Sequence, residues 1–220
     1  MDYKLDMSVM LTMHAALRRD LAEVARIAGR RGRNAGGRLQ ATLGWEQFKK
    51  FLVIHHHAED DFLWPALRAA VAASADQAAL VDALEAEHSL IEPLLSAVDA
   101  AVGDPDDRQR LAEVADELVS QLGRHLDHEE TEGFALIDAA LDPEEWQRFA
   151  KLHGGRLLGD APTYVPWLLD GAAPKDADGF LAKIPPHLAA SYRGQWAPRY
   201  AALAIWDTDD ETTPAGAADR

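Results

Sequence analysis

The chain has 220 residues, no cysteine, nine histidines and a formal net charge of −15. Without thiols there is no disulfide scaffold, thiolate zinc site, cysteine-held iron–sulfur cluster or cysteine nucleophile, so any metal must be held by nitrogen and oxygen. The charge argues against nucleic acid or an anionic membrane surface as partner, and no run of about 18 apolar residues could span a membrane. The acidic opening MDYKLDMSVM lacks the apolar core of a secretion signal, so a cytoplasmic location is expected.

The location of the charge is more informative than its size. Residues 39–140 carry six basic against 21 acidic groups, and seven of the nine histidines fall between positions 14 and 128. Acid and imidazole are therefore concentrated together.

In chain order, helical periodicity runs from Ser8 to Ala28, over 39–73, from 75 to 102 behind Ser74 as N-cap, and over 108–141. Glycine-rich and Asp/Pro-rich breakers separate these stretches, and no alternating β-branched run interrupts them. The pattern predicts an all-α protein built on an antiparallel four-helix bundle over residues 1–141. Residues 142–206 hold four of the six tryptophans. They are expected to form a helical extension with short helices over 144–152, 164–169, 180–184 and 187–206, packed on the bundle because such helices are marginal alone. The polar tail 207–220 reads as disordered.

Helical phase selects the residues with chemistry. In the second helix the stripe Trp45, Phe48, Leu52 continues through His55 and Glu59 to Phe62. His56 falls about 70° off that stripe, and His57 points away. In the fourth helix Leu111, Val114, Leu118 and Leu122 continue into His125, Glu129, Glu132 and Leu136. His14 lies on the stripe of the first helix, and His88 near that of the third. Each helix thus places a histidine in the core, and two place a carboxylate one turn beyond it. Buried ionisable groups cost several kcal/mol each unless paired or bound to metal. Six of them meeting at one level point to a metal centre with ligands His14, His55, Glu59, His88, His125 and Glu129.

Four imidazoles and two carboxylates exceed one tetrahedral zinc site and suit two ions bridged by the carboxylates. The donors fit iron, with manganese or zinc as substitutes. His56 and His128 are expected beside the ligands rather than among them. Glu92 is an additional candidate ligand, and the inward-leaning Glu132 is a candidate proton relay. His153 and His187 read as structural. The His-Glu-x-x-His zinc protease pattern is absent, and the Glu-x-x-His order of other di-iron bundles is reversed here.

The segments His55-His-His-Ala-Glu59-Asp-Asp-Phe-Leu-Trp-Pro-Ala-Leu67 and His125-Leu-Asp-His-Glu-Glu130, with His14 and His88, resemble the signature of hemerythrin-like, or HHE cation-binding, domains over about residues 8–140. The bacterial type with a C-terminal extension looks most similar. The resemblance implies a non-haem centre of two iron ions, Fe2+ or Fe3+, joined by an oxo, hydroxo or water bridge, with Glu59 and Glu129 as bridging carboxylates. It implies a protein that binds or senses O2, nitric oxide or peroxide. It equally admits a di-iron oxidase, oxygenase, peroxidase- or catalase-like enzyme acting on a small molecule or peroxide, or iron storage. Oligomeric state stays open. Oxygen-carrying hemerythrin has a histidine pair one turn apart on its third helix, whereas here Leu84 and Glu92 flank His88. One ion would then lack a nitrogen ligand, which favours reactivity or sensing over oxygen carriage.

Overall fold

The computed structural model describes residues 3–29, 39, 42–103 and 108–206. The tail expected to be disordered lies outside the described residues. Among them every regular element is helical. Helix α1 is Ser8–Ala28. Helix α2 runs through Leu43–Ala58, a π turn at Glu59–Leu63, and Trp64–Ala70. Helix α3 is Ala75–Val102. Helix α4 runs through Arg108–His128, a second π turn at Glu129–Gly133, and Phe134–Ala140.

The extension follows as α5 (Pro143–Leu157), α6 (Ala161–Leu169), α7 (Pro174–Leu181) and α8, which joins Pro186–Ser191, a π turn at Tyr192–Trp196 and Ala197–Ala201.

Local chemistry sets the helix starts. Thr42 Oγ1 accepts from the Trp45 amide at 3.4 Å, so α2 begins four residues later than its apolar pattern does. Ser74 Oγ caps α3 through the Gln77 amide at 3.4 Å. Asp142 and Glu145 form a reciprocal capping box ahead of α5, with Pro143 at the first position, where its missing N–H is harmless. Such caps are worth about 1 kcal/mol each.

A polar layer divides the bundle core in two. One apolar cluster contains Met13, Leu17, Phe48, Phe51, Leu52, Ile91, Leu118 and Leu122. The other contains Met10, Leu63, Trp64, Leu67, Leu84, Phe134 and Ile137. The extension feeds both: Trp146 and Phe149 join the second cluster, while Leu157, Tyr164 and Trp167 join the first.

Asp20 fastens the extension to α1. It is fully buried, and its carboxylate accepts from Trp167 Nε1 at 2.6 Å, Arg19 Nε at 2.8 Å and Trp206 Nε1 at 3.3 Å. Arg19 also donates to the carbonyls of Trp167 and Asp170 at 2.8 and 2.7 Å. Burial still raises the Asp20 pKa, against the opposing pull of Arg19 and the indoles.

The Trp206 ring lies over Gly44, whose amide donates to the Ile205 carbonyl at 2.9 Å. A methyl group there would overlap the indole. Gly44→Ala is therefore expected to displace Trp206 and destabilise the fold by about 1–3 kcal/mol, as overpacking does. Thermal unfolding and a red-shifted tryptophan emission would report it; an unchanged melting curve would refute it.

Candidate metal centre

The π turns aim the carboxylates. Up to Glu59 and Glu129 the helices keep the ordinary period, and both residues are fully buried. Each π turn then absorbs one extra residue, a device found often at functional sites. The next inward positions become Leu63 and Gly133, both buried, instead of Phe62 and Glu132. The expectation for Glu132 is corrected on this ground. Its side chain is 64% exposed and lies 3.8 Å from His128 Nε2, so it does not lean into the core. Gly133 permits a close approach, since a Cβ there would stand 3.1 Å from Glu129 Cγ and 3.2 Å from Leu84 Cδ1.

Among the described residues, two groups of buried donors have ligand atoms within 4.8 Å of one another: His14, His55, Glu59 and Glu129, and His56, His88 and His125. Each carboxylate faces a histidine of both groups. Glu59 lies 3.3 Å from His55 Nε2 and 3.5 Å from His88 Nε2. Glu129 lies 3.3 Å from His14 Nε2 and 3.9 Å from His125 Nε2.

The outer ring nitrogens are held by carboxylates. His14 Nδ1 is 2.9 Å from Glu130, which Arg18 also grips. His88 Nδ1 is 2.7 Å from Asp60, and His125 Nδ1 is 3.0 Å from Glu87. Metal-binding histidines characteristically donate their second N–H this way, which fixes the tautomer and raises ligand basicity. With Nδ1 donating, the neutral ring presents a lone pair at Nε2. The Nε2 atoms of His88 and His125 face each other at 3.1 Å, a contact that a shared cation relieves. His14 Nε2, His55 Nε2, His56 Nε2 and both oxygens of Glu59 and of Glu129 are buried without a hydrogen-bond partner. Buried groups so rich in lone pairs fit a metal.

His56 corrects the helical-phase reading. It is 1% exposed, not an outer neighbour, and its ring stacks on His88 with centroids 3.9 Å apart and planes 7° apart. It brings a third nitrogen to the group that Leu84 leaves short. Glu92, expected as an extra ligand, belongs to neither group: it is half-exposed and pairs with His57 Nε2 at 2.7 Å. His128 does stand beside a ligand, joined through Glu87 at 2.8 Å to His125. Asp60, Glu87 and Glu130 escaped the phase argument because only one of their carboxyl oxygens needs to reach inward. A repeat could have flagged two of them. His55 and His125, Glu59 and Glu129, and Asp60 and Glu130 each stand 70 residues apart, so the two helical pairs present matching donors.

The electrostatics of the metal-free pocket follow from burial. Desolvation and then the neighbouring imidazoles hold His55 and His56 well below the usual histidine range. Burial also lowers His125, despite the pull of Glu87 and Glu129. Burial lowers His14 too, but Glu129 and Glu130 outweigh it and raise its pKa. Burial and the charge of Glu129 push Glu59 well above the carboxylate range, whereas His14, His125 and His88 hold Glu129 low against its own burial.

No helix of the described residues is long and apolar enough to cross a membrane. Neither a curated protein nor a solved structure matches the chain. The family model described as the hemerythrin HHE cation-binding domain does match, over residues 6–137, the stretch that contains both donor groups. With its all-α architecture and its buried histidine and glutamate donors, the chain belongs to the hemerythrin HHE cation-binding family.

Proposed function

We propose that this is a non-haem di-iron protein whose carboxylate-linked centre binds or senses O2, nitric oxide or peroxide. The observation that carries the reading is the pair of buried donor groups spanned by Glu59 and Glu129. His14 and His55 would hold one ion; His56, His88 and His125 the other; the two glutamates would link them. Imidazole with carboxylate suits iron, and manganese or zinc could occupy the same donors. When bound, iron supplies a redox-active Lewis acid for a small oxidant. The chain's own residues orient the ligands through Glu130, Asp60 and Glu87, and exclude water with the apolar clusters on either side. A turnover enzyme is the less favoured reading, because Glu132 stands in solvent. Iron storage needs room for many ions, whereas seven buried donors suit a fixed pair.

Metal analysis with optical spectra before and after O2, nitric oxide and peroxide tests this. Two irons per chain and a reversible spectral change are expected. Sustained peroxide or substrate turnover would favour the enzyme, and no spectral response would refute the reading.

Metal affinity should also depend on pH. Burial and Glu129 raise the pKa of Glu59, and Glu129 and Glu130 raise that of His14, which favours the protonated form that each ligand atom must give up. Loading should release protons, and affinity should rise with pH as these groups deprotonate. Calorimetry in buffers of different ionisation enthalpy checks this; metal uptake without proton release would contradict it.

A further inference from the structure

The repeat of donors leaves one histidine without the outer carboxylate its counterparts have. Glu130 and Asp60 meet the Nδ1 atoms of His14 and His88, and Glu87 meets that of His125. His14 and His88 are 74 residues apart, so the α1 counterpart of Glu87 is Met13, a buried core residue. The Nδ1 of His55 is accordingly buried and unpartnered.

Helix α5 of the extension passes this point. Its buried face is Trp146, Phe149, His153 and Leu157. Phe149 packs into one apolar cluster and Leu157 into the other, which puts His153 at the level of the polar layer. The ring is 5% exposed, stacks on Phe149 with planes 13° apart, and has its centroid 5.6 Å from that of His55. Its Nε2 is likewise buried and unpartnered. A polar nitrogen in an otherwise aromatic and aliphatic stripe carries a desolvation cost that packing alone does not repay.

We propose that His153 is a positioning residue for the metal centre: its Nε2 accepts the Nδ1–H of His55 through one bridging water, so that His55 presents its Nε2 lone pair to the ion. The inference rests on the two-ion reading above. It gives the extension a part in the centre, since it supplies from outside the bundle the kind of partner that the bundle supplies for His14, His88 and His125. A neutral acceptor adds no charge to its ligand, so the ion held by His14 and His55 should leave first under chelation.

The test loads the full chain with ferrous iron without oxygen and follows iron release to excess bipyridine. His153→Phe keeps the ring packing on Phe149 but offers no acceptor, and His153→Leu serves as a second apolar variant. His153→Gln keeps a polar acceptor. The apolar variants should lose one of two ions about 10-fold faster or more, with the slower phase unchanged. His153→Gln should recover most of the wild-type rate, and metal-free melting temperatures should not follow this order. Wild-type release rates in the apolar variants, or equally fast release from the glutamine variant, would overturn the proposal. Wild-type protein holding fewer than two ions would instead overturn the two-ion reading, and this proposal with it.

Discussion

Glu59→Gln is expected to reduce the iron content of the loaded protein from two ions per chain to one or none, while the metal-free protein melts no lower than wild type. The two effects have one origin. Glu59 is fully buried, faces His55 and His88, and has neither oxygen in a hydrogen bond. Burial and Glu129 raise its pKa in the folded, metal-free chain. A carboxylate with a raised folded pKa has its full stability contribution below its unfolded pKa of about 4.3, and that is lost as pH climbs towards the folded value. At neutral pH the metal-free fold therefore bears the penalty, which the neutral amide of similar shape removes. A gain on the order of 1 kcal/mol would raise the melting temperature by about 2–4 °C in a chain of this size. A glutamate placed there only for an internal ion pair would give the opposite pattern: unchanged metal content and a destabilised fold.

The second large effect separates neighbours. His56→Ala is expected to remove one of two irons, whereas His57→Ala leaves both. His56 is buried against His88 and its Nε2 has no protein partner, while the His57 side chain is 52% exposed and bound to Glu92. Iron stoichiometry and the visible absorption bands check it. Loss of metal from His57→Ala with His56→Ala intact would mean that the rotation of α2 is wrong by about one residue, or 100°.

Much of the site was legible in the sequence because the helices keep an ordinary period as far as the two glutamates. The stripes through Leu52 and Leu122 lead directly to His55 and His125. Two physical facts lay outside that argument. First, helix α2 is covered on more than one side, by the bundle and by α5, so its buried arc is wide enough to take both His55 and His56. A stripe centred on one face leaves His56 at the edge. Second, nothing in an apolar pattern announces a π turn, and the added residue moved Glu132 into solvent and brought Gly133 inward. His153 could have been read from the stripe Trp146, Phe149, His153, Leu157, but its neighbour His55 is nearly 100 residues away in sequence, and only the packing of α5 joins them.

The one-residue surplus in each π turn also bears on which changes of length the chain can tolerate. Deleting Asp61, or Thr131 in the matching turn, would restore a regular i to i−4 ladder and locally improve the backbone hydrogen bonds. Everything beyond would rotate by about 100° relative to the glutamate. Trp64 and Leu67, or Phe134 and Ile137, would swing out of the core they now fill. Single-residue deletions at these two places should therefore be among the most damaging in the bundle, although Asp61 and Thr131 are themselves exposed and belong to neither donor group.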